Sequence, residues 1–379
     1  MRLEKIVKSV LTAMLLSLFA SGVKANETTQ SFNVHSQVST FEIAYNDWSY
    51  ILSATVFEAG RSDRYSAPRP EPGIGRRVIK GNTSSTRFEG NRLYFLAFDD
   101  ANLAALLRIR AELAAVPGEV PIAEWTKNQQ LAYWLNLYNV TIISELAQRY
   151  PEQELRSLLY GKRGLLDKKL LKVAGVKLSL NDIHHNIILA NWDDPLVIYG
   201  LFHGYVGCAN IRPEAYTADR VWEQLKDNAV EFVNSNRGAR MRGEVLQVSA
   251  IYEDNTELFP SEAALRSHIA AYADPSFAER VRGASRIKAD VTDYYIADLF
   301  QGVVNDTNPN AGNPSAVVQG LRGRDAALLS DMFMPKMLPS GAPKVVMEYL
   351  GKIREKKASR EGQVSVEEYE SSEGEAQPE

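Results

Sequence analysis

The segment Leu131 to Leu146, LAYWLNLYNVTIISEL, constrains the fold more than any other part of the chain. Leu131, Trp134, Leu135, Tyr138, Ile142 and Leu146 recur at helical spacing within a periodic stretch that runs from about Ile122 to Tyr150 and stops at Pro151. A surface helix keeps one polar face for water, whereas this one is apolar nearly all round its middle, so it must be central. Asn136 and Asn139 lie three apart on it, on adjoining parts of one surface. Buried amides need partners. Two readings are open: the side chains tie the helix to a loop backbone, or one of them orients an imidazole, as in Cys-His-Asn hydrolytic sites.

Other elements are predicted around this helix. Phe41 to Phe57 is read as a helix that buries Trp48, Tyr50, Ile51 and Leu52, and Ala101 to Val116 as an amphipathic helix preceded by Asp99-Asp100 and closed by Pro117-Gly118. Leu170 to Leu180 suits a short hairpin turning at Gly175, and Ser179 onward, SLNDIHHNIILAN, a capped helix. Asp194-Pro195 starts a buried helix that Gly204 ends; Gly204 to Tyr216 is a loop, and Thr217 caps a helix to about Ser235. Leu246 to Ile251 reads as a strand and Ser261 to Tyr272 as a helix. Arg61 to Thr86 is a long surface loop, Asn305 to Pro314 a linker ahead of helices reaching Lys357, and the Glu/Ser-rich tail from Ala358 is expected to be disordered. The sum is a mainly helical α+β fold with central apolar helices, a short hairpin and a small sheet.

The first residues place Arg2, Lys5 and Lys8 ahead of an apolar run from Val10 to Phe19, then Val23-Lys24-Ala25, the pattern of a secretory signal cut after Ala25. That run is shorter than the ~20 residues a membrane span needs, so an exported protein without an integral membrane segment after cleavage is expected, periplasmic or extracellular. With 45% hydrophobic and 24% charged residues the chain can bury a sizeable core; its net charge is -4 and its basic residues are dispersed, which argues against a nucleic-acid partner.

Export makes the single cysteine, Cys208, notable, because it cannot close an internal disulfide. It sits in HGYVGCANIR, with Gly204 and Gly207 before it and His203 and Arg212 close by. A reactive thiolate needs such imidazole, cation or amide neighbours, although most free cysteines are small buried hydrophobes. His184, His185 and His203 are three of five histidines and all precede Cys208 within a short span. On an α-helix His184 and His185 point about 100 degrees apart, which leaves His185 nearer the apolar side, as a base or as a satisfied core residue. Asp182, His184, His185, Asp193, Asp194, His203 and Cys208 also carry ligand atoms, but no recognised metal-ligand spacing occurs, so neither a metal nor another cofactor is expected.

Four segments taken together, FEGNRLYFLAF, LAYWLNLYNVTIISELAQRYP, VAGVKLSLNDIHHNIIL and DDPLVIYGLFHGYVGCANIRPEAY, resemble the domain of unknown function 547 family over roughly Phe88 to Asp274. The resemblance implies a domain without an assigned reaction. It places the family's Asn-x-x-Asn helix on Asn136 and Asn139, its histidine on His185 and its cysteine on Cys208, with Arg212 and Tyr216 matching too. The family has Glu where this chain has His184, and a Ser-Cys-Pro-Pro-like run where it reads Gly207-Cys208-Ala209-Asn210, so the prolines that would stiffen the thiol loop are missing. The implied organisation is a signal at 1–25, an extension at 26–87, the core at 88–274, a helical extension at 275–357 and an acidic tail at 358–379.

Two functions follow as expectations. In the first, Cys208 is the nucleophile, His185 the base and Asn136 or Asn139 the orienting amide of a hydrolase or acyltransferase acting on peptide or amide bonds, with Arg212, Tyr216 and His203 binding a small-molecule or cell-wall-derived peptide substrate. The order Asn, His, Cys would make the core a rearranged papain-like or transglutaminase-like arrangement. In the second, the same residues form a buried polar network in a non-catalytic binding or scaffold domain.

Overall fold

The computed structural model describes residues 32–69, 82–302, 349, 351–353 and 355–356. The predicted signal segment, the linker predicted at 305–314 and the predicted acidic tail lie outside these residues, as does most of the helical region predicted before Lys357. In order, α1 (Asn46–Thr55) leads into β1 (Val56–Phe57), which pairs antiparallel with β2 (Arg92–Leu93). Two long helices follow, α2 (Asp100–Glu119) and α3 (Lys127–Ala147), then the short α4 (Arg156–Tyr160) and the hairpin β3 (Leu171–Val173) and β4 (Val176–Leu178). After the helical turns at 182–200 come α5 (Val221–Val233), β5 (Ala239–Arg242), β6 (Val245–Ser249), α6 (Glu262–Tyr272), α7 (Pro275–Arg282) and β7 (Arg286–Val291). The fold is α+β and mainly helical; β5 pairs antiparallel with β6, and β7 returns across α6 and α7 to pair parallel with β6. No helix among the described residues is long and apolar enough to cross a membrane.

The predicted centre is α3. Every residue from Gln129 to Leu146 is buried, and the helix starts in a capping box: Thr126 Oγ1 accepts from Gln129 N at 3.2 Å while Gln129 Oε1 accepts from Thr126 N at 2.9 Å. The helix α2 packs along it and differs from its sequence reading at one end. Pro117 does not close α2, which runs on to Glu119. A proline inside a helix leaves the carbonyl four residues back without its amide donor, here that of Leu113, and the Tyr133 hydroxyl of α3 donates to this oxygen at 3.1 Å.

The chain from Asp293 to Gly302 runs across the front of this core as a strap. It bridges Leu93 at Asp298, Tyr205 at Ile296 and Glu154 at Tyr295, so segments from three parts of the sequence are laced together.

Candidate functional site

The cysteine loop is built on α3 and the strap. Asn139 Nδ2 donates to Gly200 O at 2.9 Å, and its Oδ1 accepts from Phe202 N at 3.0 Å; Asn136 does the same to Tyr216. The two amides therefore pin both ends of the 200–216 segment, and their polar atoms are engaged by backbone. Between these pins Gly204 takes φ +89 beneath the Leu146 side chain, and Gly207 lies so close to the strap that an added Cβ would meet Asp293 N at 2.9 Å. Val206 N donates to Tyr295 O at 2.8 Å and Gly207 N to Asp293 O at 2.9 Å. Strap pairing thus holds the loop through its backbone.

Cys208 ends this stretch with 2% of its surface exposed. Its thiol donates to Tyr205 O at 2.9 Å, and its Sγ accepts from His203 N at 3.4 Å. Burial pushes the thiol up from 9.0 to about 11, against smaller lowering effects from these backbone groups and from Arg237. Arg237, fully buried, points its Nε at Cys208 O (3.4 Å), bonds Asn210 Oδ1 at 2.9 Å and pairs with Glu231 at 2.9 Å. The cation thus braces the loop through its backbone.

The histidines are arranged differently from an α-helical projection. Residues Asp182–Ile188 form a π-helical turn, in which Leu189 N donates to His184 O five residues back. The wider turn changes the phase: His184 is buried and His185 lies at the surface, its ring stacked on His184 at 4.0 Å with its Nδ1 3.3 Å from Glu257 Oε1. This corrects the expectation that His185 faces the interior. His184 Nε2 donates to Asn255 Oδ1 at 2.6 Å, the amide being turned that way by its own donation to Ile251 O. His203 follows, its ring 6.0 Å from that of His184 and its Nδ1 3.1 Å from Leu201 O, an acceptor that fixes the proton on Nδ1. Burial lowers His184 well below its usual value and takes His203 from 6.5 to about 4, so both rings are neutral near pH 7.

Three imidazoles therefore run from the surface to the cysteine loop, but the hydrogen bonds of Cys208 Sγ among the described residues go to backbone, not to a ring. Arg212 turns to Gln224 O at 3.0 Å and Glu214 at 2.9 Å, and the Tyr216 hydroxyl accepts from Asn228 at 3.1 Å, so two of the three predicted substrate contacts, all but His203, are tied internally. Asp182 accepts from Lys169 and Ser179, Asp194 caps the turn beginning at Pro195, and among the described residues no three His, Cys, Asp or Glu side chains are grouped to hold a metal ion. A hollow of about 650 Å³ beside the first turn of α3, lined by residues such as His35, Lys127 and Asp219, contains none of the predicted site residues.

An aromatic group that the spacing of the sequence does not reveal lies beside the histidines. Tyr205 packs tilted against His203, with ring centroids 5.8 Å apart, and its hydroxyl is 3.1 Å from that of Tyr160; Tyr294 from the strap crosses both rings. Tyr138, between the two asparagines, sets its ring edge-on to His203 at 5.8 Å. Its periodicity marked it only as core.

The helix with both asparagines, the histidine turn and the cysteine loop all fall within one matched stretch. Residues 122–233 match a family described as a protein of unknown function, DUF547. The match is shorter than the resemblance from Phe88 to Asp274 and contains the pinned loop, the imidazoles and Cys208, while the strap, Asn255 and Arg237 lie outside it. No curated protein and no solved structure matches the chain.

Proposed function

We propose that this chain is an exported binding domain in which Cys208 organises a loop and does not attack a substrate. The carrying observation is the thiol itself: buried, donating to Tyr205 O and pushed up to about 11, it holds roughly one thiolate in ten thousand at pH 7. The engagement of Asn136, Asn139, Arg212 and Tyr216 by internal partners supports the same reading. Location outside the cytoplasm rests on the charged and apolar pattern of residues 1–25.

The hydrolase reading, with Cys208 as nucleophile and His185 as base, keeps one observation in its favour. The imidazole line starts at surface-exposed His185 and ends at His203, whose own backbone N–H contacts Sγ. An opened loop would have to bring the thiol to a ring nitrogen.

Iodoacetamide labelling of the folded protein near pH 7.5 separates the two. The binding-domain reading expects labelling at least about a hundredfold slower than in urea-unfolded chain. Rapid labelling of the native protein, together with hydrolysis of a peptide or ester that Cys208→Ala abolishes, would establish the hydrolase instead.

A further inference from the structure

Tyr138 and His203 pack ring against ring, 5.8 Å between centroids, and each carries a polar atom without a hydrogen bond among the described residues. The Tyr138 side chain is fully buried, and its hydroxyl has no hydrogen-bond partner among the described residues. An unpaired buried hydroxyl is costly, and its burial also raises the phenol well above its usual value, so it remains an O–H donor. His203 is committed through Nδ1 to Leu201 O, which leaves the Nε2 lone pair as its remaining function, and no hydrogen bond reaches Nε2 among the described residues. Several other buried phenols and indoles also lack partners, but of these Tyr138 is the one whose ring packs against an imidazole among the described residues. One donor and one acceptor on adjoining rings match a planar group that offers a carbonyl and an N–H together.

We infer that Tyr138 and His203 form a binding site for an amide, as found in a peptide bond or a carboxamide, with the Tyr138 hydroxyl donating to its carbonyl and His203 Nε2 accepting from its N–H. The surrounding chemistry agrees. Both rings are uncharged, so neither a carboxylate nor an ammonium gains a counter-charge from them, whereas a neutral amide has both of its polar atoms answered. The way in is aromatic: Tyr160, 42% exposed at the end of α4, meets Tyr205 hydroxyl to hydroxyl at 3.1 Å, and Tyr205 lies against His203. Swinging Tyr160 outward breaks this contact and its edge-on packing against Tyr294, and leaves the Tyr205 hydroxyl free to meet the remainder of a peptide. This site rests on the binding-domain reading and gives it a ligand class.

The test uses acetamide as probe and the imidazole nitrogens as reporters, since the chain has five histidines. In long-range ¹H–¹⁵N spectra of the folded protein, acetamide should shift His203 Nε2 saturably. N,N-dimethylacetamide, which keeps the carbonyl but has no N–H, should bind about tenfold more weakly. Tyr138→Phe should remove the acetamide response while leaving Tm unchanged or raised, because the hydroxyl it deletes has no protein partner. No saturable His203 shift up to about 1 M acetamide, an equal shift in Tyr138→Phe, or equal binding of the two amides each overturns the site. A clear fall in Tm for Tyr138→Phe overturns its premise, an unengaged hydroxyl. Iodoacetamide labelling reads Cys208 alone, so the amide site and the binding-domain reading fail separately.

Discussion

Asn136 holds Tyr216 by both of that residue's backbone polar groups, donating from Nδ2 to Tyr216 O at 2.8 Å and accepting at Oδ1 from Tyr216 N at 3.0 Å. The side chain acts as a short piece of strand grafted onto a helix. Asn136→Ala leaves a buried N–H and a buried C=O unpaired and should cost about 2–4 kcal/mol in urea unfolding. Asn136→Asp should fare no better, since a carboxylate cannot donate to Tyr216 O. A loss below about 1 kcal/mol for either variant would mean that the loop is held elsewhere.

Gly204 sits at φ +89, and a Cβ there would lie 2.2 Å from Leu146 Cδ1. Gly204→Ala should therefore cost about 1–3 kcal/mol through backbone strain and overpacking, and it should speed the alkylation of Cys208 by loosening the loop. Unchanged Tm and unchanged labelling would contradict this account.

Arg237 and Glu231 form an ion pair in which the guanidinium is wholly buried. Removing one member leaves a charge without its partner, so Arg237→Met alone should cost about 3–5 kcal/mol, and adding Glu231→Leu should recover part of it. Recovery should remain incomplete because Arg237 also supports Asn210 and Cys208 O. Additive losses in the double variant would refute the coupling.

Acid should destabilise the fold in a definable window. His203 and His268 are held at about 4 by burial, against 6.5 unfolded, and burial also holds His184 well below 6.5. The unfolded chain then binds protons that the fold refuses, so this stability is full above 6.5 and is lost as pH falls towards 4, by about 3 kcal/mol for fully buried His203. Asp298 works in the opposite direction. Burial raises its carboxyl from 3.8 to about 6 despite donors from Gly302 N, Tyr150 Oη, Phe95 N and Phe300 N, so its contribution is full below 3.8 and lost as pH rises through 6. Urea unfolding at pH 7 and pH 5 should show a net loss at pH 5, and a steeper one in Asp298→Ala, where the opposing group is gone. Equal slopes would remove Asp298 from this account.

The parts of the fold that depend on local periodicity were legible in the sequence. The burial of α3, the hairpin at Gly175 and the helix beginning after Ser261 all follow from residues within a few positions of one another. Pro117 was misleading because the group that satisfies the freed Leu113 carbonyl, Tyr133, lies on the next helix. His184 and His185 exchanged places because apolar spacing does not distinguish an α-turn from a π-turn. The two edge partners of β6 were not evident either, since β5 and β7 alternate weakly and gain their order by pairing. At the site, the loop reading of Asn136 and Asn139 could be weighed from the helix alone, whereas the closeness of Tyr138 to His203 depends on a fold that brings residues 65 positions apart together.

The strap also bears on how this chain can be cut. Asp298 and Leu93 are both outside the matched stretch 122–233, both buried and bridged to each other, and the strap residues Asp293, Tyr295 and Ala297 supply hydrogen bonds to the cysteine loop inside it. A recombinant fragment trimmed to 122–233 would leave one side of α3 facing water and the edge of the cysteine loop unpaired. Such a fragment should be recovered as aggregate, and the smallest autonomous unit should begin before Arg92 and end after Gly302.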